Sequence, residues 1–205
     1  MIFSAGHSSL SADDFRALLT GAAVATLWDI RSYPSSRWPW FARAELERSL
    51  AAVGVRYRWE KALGGRRRPP ARPAAVPPAQ NAAPTLFPPA PHTAPRWESE
   101  GFENYMWHMA SAEFLAAAGE LLLAGRGGDL AIMCAEALWW RCHRSMVADF
   151  VVYAGGEVVH LQPERTVHSA AIGDRLERYA PEVLAAWDRY LGTLDDDPPV
   201  QPRLR

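Results

Sequence analysis

The residues best suited to chemistry cluster in one stretch, Cys134-Ala135-Glu136 followed by Arg141-Cys142-His143-Arg144. A cysteine that ends an apolar run, just ahead of a helix start bearing arginines and a histidine, is a candidate thiolate. Helix amides and guanidinium groups both lower a thiol pKa. Glu136 opposes that ionisation by like charge, and the bland alternative is a Cys134 that is only a small buried residue. Glu136 is itself a candidate base, nucleophile or hydroxyl acceptor. Asp29 would complete a carboxylate pair, with Arg31 able to grip either carboxylate; equally, Asp29 and Arg31 could brace loops as an ion pair. His7, following a strand and a glycine, is placed to act as acid or base, with Ser8 beside it. Arg31, Arg37, Arg141 and Arg144 could form an anion pocket with free helix amides. Arg144 could also lie on a solvated helix face, and His143 could be a satisfied core histidine. Trp38, Trp40, Trp139 and Trp140 fall on loops, where indoles either stack a flat ligand or pin the loop to a core. A metal site from His7, Cys134, Cys142 and His143 is disfavoured, because the seven residues between the cysteines match no familiar zinc spacing. No cofactor is called for.

These residues need a scaffold, and apolar patterning supplies one. Strands are expected at Ile2–Gly6, Ala25–Ile30, Val55–Trp59, Leu130–Cys134 and Glu157–Leu161. The fourth is continuously apolar, as in a strand covered on both faces. Helices are expected after Ser11, from about Arg43 to Gly54, over Phe102–Met109, Ser111–Ala124, Arg141–Tyr153 and Ala171–Leu191. Such alternation implies a three-layer α/β domain, Rossmann-like, with a mostly parallel sheet of about five strands. The expected order is 3-2-1-4-5, with a switch point between the first and fourth strands. Ligands sit at the carboxyl ends of strands in such sheets, and those ends carry the residues named above.

Composition narrows the partners. The chain has 205 residues, 22 Lys+Arg against 23 Asp+Glu, and a formal net charge of -1. That balance argues against a broad nucleic-acid coat or a polybasic membrane anchor, though not against a basic pocket. Two cysteines exclude a disulfide scaffold. No apolar run reaches membrane-spanning length and no signal peptide is evident at the start, so a cytoplasmic location is expected. Ten of the 17 prolines fall between Pro69 and Pro95, marking an inserted loop at about 66–98 within a single domain over 1–192. A disordered tail is expected over 193–205.

The signatures Gly6-His7-Ser8, Asp29-Ile30-Arg31-Ser32 with Pro34 and Ser36-Arg37, Leu63-Gly64-Gly65, Tyr105-Met106, Cys134-Ala135-Glu136, Cys142-His143-Arg144 and Gly156-Glu157-Val158-Val159-His160 occur in order. In these the chain resembles the domain of unknown function 488 family over about residues 2–162. The resemblance implies an α/β domain with those motifs at its site, and a connection with DNA repair, a label some members carry. The Pro-rich stretch and the segment beyond His168 depart from the family's pattern. The Cys134 loop is also similar in layout to the loops of cysteine phosphatases and rhodaneses, although six residues separate Cys134 from Arg141 where the tyrosine phosphatase pattern has five.

Three functions compete on these residues. The leading one is an enzyme of hydrolysis or group transfer on a small anionic, phosphorylated or nucleotide-like ligand, with Glu136 and Asp29 doing the chemistry and Trp139 stacking the base. The second is thiol or sulfur-transfer chemistry at Cys134. The third is a non-catalytic module binding a nucleotide or nucleic acid, its contact extended by Arg66–Arg68.

Overall fold

A computed structural model describes residues 1–67, 97, 99–168 and 175–195. The Pro-rich loop and the tail beyond 195 lie outside the described residues. Six strands form one sheet: β1 (Ile2–Gly6), β2 (Thr26–Asp29), β3 (Arg56–Trp59), β4 (Leu130–Cys134), β5 (Val158–His160) and β6 (Thr166–Val167). The helices are α1 (Ala12–Gly21), α2 (Arg43–Ala51), α3 (Glu100–His108), α4 (Ala112–Ala124), α5 (Arg144–Tyr153) and α6 (Pro181–Asp195). Among the described residues no helix is long and apolar enough to cross a membrane.

Local chemistry explains the boundaries. Ser11, Ser99 and Ser111 cap α1, α3 and α4, each accepting a hydrogen bond from the amide three residues on. The closing helix differs from expectation, because Pro181 starts it afresh. A proline is tolerated in a first turn but disfavours helix in the residue before it, so Arg178–Ala180 is non-helical. The helix expected from Arg141 is likewise split: a 3-10 turn covers Trp139–Arg141, and α5 begins only at Arg144. β6 pairs antiparallel with β5 and was not expected; two exposed residues give too short an apolar signal.

The alternation of strand side chains divides the interior in two. Ile2, Trp28, Ile30, Leu130 and Ile132 face α3, α4, α5 and α6. Phe3, Ala5, Leu27, Ala131 and Met133 face α1 and α2. β1 and β4 are buried along their whole length, as central parallel strands must be when helices cover both faces.

The strand order is β3-β2-β4-β1-β5-β6, not 3-2-1-4-5. The two central strands are exchanged, and both are equally apolar, so burial could not have told them apart. The exchange moves the switch point. From β2 the chain passes outward to β3 over the α1–α2 face; from β4 it crosses β1 to reach β5 over the opposite face. These connections diverge between β2 and β4, and a crevice opens there.

Candidate functional site

A cavity of about 470 Å³ occupies that crevice, a size typical of small-molecule sites. The β2 loop supplies Arg31, Ser32, Tyr33 and Ser35, and the β4 loop supplies Cys134, Ala135, Glu136, Arg141, Cys142 and His143. Gly65 and Arg66 close one side, and the start of α3 adds Ser99, Gly101, Phe102 and Tyr105.

At its floor the two thiols touch. The Sγ atoms of Cys134 and Cys142 lie 2.7 Å apart, and both cysteines are free and buried. The sulfur of Cys142 also receives the backbone amide of Arg144 at 3.5 Å, at the first turn of α5, and lies 3.4 Å from Nδ1 of His143. The other ring nitrogen, Nε2, donates to the Ile30 carbonyl at 2.9 Å. That donation leaves Nδ1 facing the thiol, placed to take its proton and then to donate back to the thiolate. Burial alone would raise the Cys142 pKa, but the Cys134 hydrogen bond, the His143 ring and the Arg144 guanidinium together hold it well below its usual value. Cys134 moves the opposite way: burial raises it, and its bond to Cys142 and the charge there raise it further. These opposite directions favour Cys142 as the more readily ionised thiol and Cys134 as the partner that keeps its proton, whereas the sequence reading placed the candidate thiolate at Cys134.

Two glycines permit this packing. A Cβ on Gly65 would fall 2.4 Å from Nδ1 of His143, and a Cβ on Gly6 would fall 1.9 Å from the Glu136 carbonyl oxygen. The Gly64-Gly65 and Gly6-His7 signatures thus clear space for the site.

Asp29 is not part of the cavity. It is fully buried, and it accepts from the Arg31 backbone amide at 3.0 Å, from Arg31 Nε at 2.8 Å and from Tyr57 Oη at 2.7 Å. Strand parity explains this: Asp29 shares the Leu27 face toward α1 and α2, whereas Cys134 shares the Ile132 face across the sheet. The carboxylate pair expected from Asp29 and Glu136 is therefore not assembled. Arg31 reaches the cavity wall, but its guanidinium is committed to Asp29 and to the Phe41 and Ser35 carbonyls at 2.9 and 3.2 Å.

His7 lies behind Arg31, buried and stacked on Phe41. Its Nδ1 donates to the Ser8 carbonyl at 3.1 Å, while Nε2 lies 3.4 Å from Arg31 NH1 and accepts from it. Burial, then the Arg31 charge, lower its pKa to about 4, so it is a neutral acceptor within the core. Neither His7 nor Ser8 lines the cavity. Arg144 is buried too, its NH2 donating to the Glu136 and Ala137 carbonyls at 2.7 and 3.3 Å; it staples the β4 loop instead of facing solvent or ligand. Arg37 is exposed and rests over Trp38.

The four indoles do not wall the cavity either. Trp38 and Trp40 pack beside the α1–α2 core, Trp140 is exposed, and Trp139 stacks on His160 with ring centroids 4.1 Å apart. Tyr33, Phe102 and Tyr105 supply the aromatic lining instead. Of the sequence-derived candidates, the structure gathers Cys134, Glu136, Arg31, Arg141 and His143 at the cavity, and places His7, Ser8, Asp29, Arg37, Trp139 and Arg144 off it.

A second polar cluster, unsuspected from sequence, backs the β4 loop. His168 Nε2 donates to Asp149 at 2.8 Å, and His160 Nε2 donates to His168 Nδ1 at 2.9 Å. Arg175 and Tyr179 complete the shell of Asp149. Spacings of 8 to 30 residues hide such a set from local pattern reading. Among the described residues no group of three or more His, Cys, Asp or Glu converges as metal ligands.

A model of the family described as domain of unknown function DUF488 matches residues 11–151, more than half of the chain. The chain belongs to the DUF488 family. The matched stretch includes Asp29-Ile30-Arg31-Ser32, Gly64-Gly65, Tyr105 and the entire β4 loop, and every residue lining the cavity of this DUF488 protein lies inside it. Gly6-His7-Ser8 and the β5 signature fall outside the match. No curated protein and no solved structure shows a significant match.

Proposed function

We propose that this DUF488 protein is a thiol-dependent enzyme, in which a Cys142 thiolate, held by His143, attacks an electrophilic centre of a small anionic substrate. The observation that carries the reading is the oriented pair itself: the Cys142 thiol meets one nitrogen of the His143 ring at 3.4 Å while the Ile30 carbonyl holds the other at 2.9 Å. Nucleophile, base and a third group that fixes the base form the usual arrangement for nucleophilic catalysis. Arg66 and Arg141 line the same cavity and make no salt bridge among the described residues; they supply the attraction for an anion. Tyr33 and Phe102 offer flat apolar surface to a base or other ring. Glu136, exposed at the mouth, exchanges protons with a leaving group.

Alkylation tests this directly. At about pH 6 a free thiol with a pKa near 8.5 is under ~1 % thiolate. Cys142 should react with iodoacetate far faster than such a thiol, and faster with iodoacetate than with neutral iodoacetamide. His143→Gln should slow both reagents, while Arg66→Ala with Arg141→Ala should remove only the preference for the anion. A Cys142 no more reactive than a small free thiol at that pH overturns the reading, and a module that merely binds nucleotides gives that result.

A further inference from the structure

Nucleophilic attack by Cys142 needs a base, an anion site and the helix amide, and the cavity already holds all three. It does not need a second thiol beside it, yet Cys134 Sγ lies 2.7 Å from Cys142 Sγ, inside the contact distance of two sulfurs. Both residues line the cavity and are only 3 % and 6 % exposed. The Cys134 sulfur is enclosed by the Glu136 amide at 3.2 Å and the Glu136 carbonyl at 3.7 Å. It can therefore meet an incoming molecule chiefly through whatever becomes attached to Cys142. A thiol so placed intercepts any sulfur–sulfur adduct on its neighbour.

We infer that the cavity performs dithiol–disulfide exchange, reducing a small disulfide that bears carboxylates while Cys134 and Cys142 pass from dithiol to disulfide. The inference rests on the thiol reading above and names its substrate class. In the first step the Cys142 thiolate attacks one sulfur of the substrate. A bond forms between Cys142 and that sulfur, the substrate S–S bond breaks, and one thiolate leaves. In the second step Cys134 gives up its proton, which a departing thiolate takes, and attacks the Cys142 sulfur. The mixed disulfide breaks, and the second half of the substrate leaves. The protein dithiol has lost two electrons, and the substrate disulfide has gained them; an external dithiol returns the protein to its starting state by the reverse exchange.

The geometry favours this direction of attack. Cys142 carries the stabilised thiolate and Cys134 the retained proton, which separates an attacking from a resolving thiol. Arg66 and Arg141 select for carboxylates on the substrate. The sulfurs lie 2.7 Å apart, so only a short approach separates them from the S–S bond length of about 2.05 Å.

The probe is dithiobis(nitrobenzoate), an aromatic disulfide with two carboxylates, mixed in slight excess with the full chain and followed by released thiolate and intact mass. The wild type should release two thiolates per chain and end without an adduct, lighter by two hydrogens. Cys134→Ser should release one and keep a nitrobenzoate adduct on Cys142. Cys142→Ser should lose the fast release altogether. If the wild type keeps a stable adduct after one release, the exchange is overturned, while the thiol reading survives provided iodoacetate still modifies Cys142 rapidly. If Cys142 is inert to both reagents, both fall. Because the wild type itself gives the deciding readout, a variant that fails to fold does not rescue the inference.

Discussion

Replacing Asp29 by Asn separates a brace from a catalyst. The carboxylate is fully buried, its partner Arg31 is 5 % exposed, and Tyr57 also donates to it. Asparagine keeps the shape but removes the charge, leaving a buried guanidinium without its counter-ion. Removing one partner of such a pair costs about 3–5 kcal/mol, because the stranded charge retains its desolvation penalty. With a urea slope of roughly 2 kcal/mol per molar, the unfolding midpoint should fall by about 1.5–2.5 M. The assay is urea denaturation followed by tryptophan fluorescence, run beside iodoacetate modification of Cys142 in the absence of denaturant. The folded fraction should retain the wild-type alkylation rate, since Asp29 faces away from the cavity. A midpoint within a few tenths molar of wild type would refute the brace. Unchanged stability together with lost reactivity would return Asp29 to the chemistry.

Other outcomes follow from named contacts. Gly65→Ala should push His143 away from Cys142, raising the thiol pKa and slowing alkylation near pH 6 by about tenfold; an unchanged rate would mean the ring does not hold the thiolate. Asp149→Asn strips the acceptor from His168, Arg175 and Tyr179 and should destabilise by roughly 3–5 kcal/mol, measured by chemical denaturation. Stability should also fall on acidification: His7, at about 4 in the folded chain against ~6.5 unfolded, binds its proton more readily when unfolded. The His7 share of the loss begins below about pH 6.5, runs at up to ~1.4 kcal/mol per pH unit and levels near pH 4; buried His108 and His160 add losses of the same sign, so His7→Phe should make the pH dependence shallower without abolishing it.

The α/β class and strands β1 to β5 were legible because each apolar run has a length and flanks that admit one interpretation. The order of the central strands was not, since Ile2–Gly6 and Leu130–Cys134 are interchangeable in composition. That exchange decided where the cavity lies. Parity carried further information: with Leu27 facing one layer and Ile30 the other, Asp29 had to point away from the β4 thiol. The adjacent Cys142-His143 at a helix start was a readable sign of the dyad. The strand-end Cys134 carries a competing sign of the same kind. The tryptophans misled for a physical reason, since a large ring on a loop is as useful for anchoring as for binding, and Trp139 on His160 does the former. The Asp149 cluster joins α5, β5, the segment after β6 and the start of the closing region, and only the fold brings those together.

The hydrogen-bonded position of β1 separates what a family shares from what can fold. β1 lies between β4 and β5 and pairs with both, yet it precedes the residues the DUF488 model matches. A fragment cut to the matched stretch would retain the cavity walls but turn β4 into a bare edge with unpaired amides and carbonyls, an invitation to association. It would also discard Gly6, whose missing side chain lets the Glu136 carbonyl approach, and the histidines that cradle Asp149. The recurring segment is thus a unit of inheritance embedded in a larger unit of cooperativity. Grafting or expressing its signature loops demands the flanking strands as well.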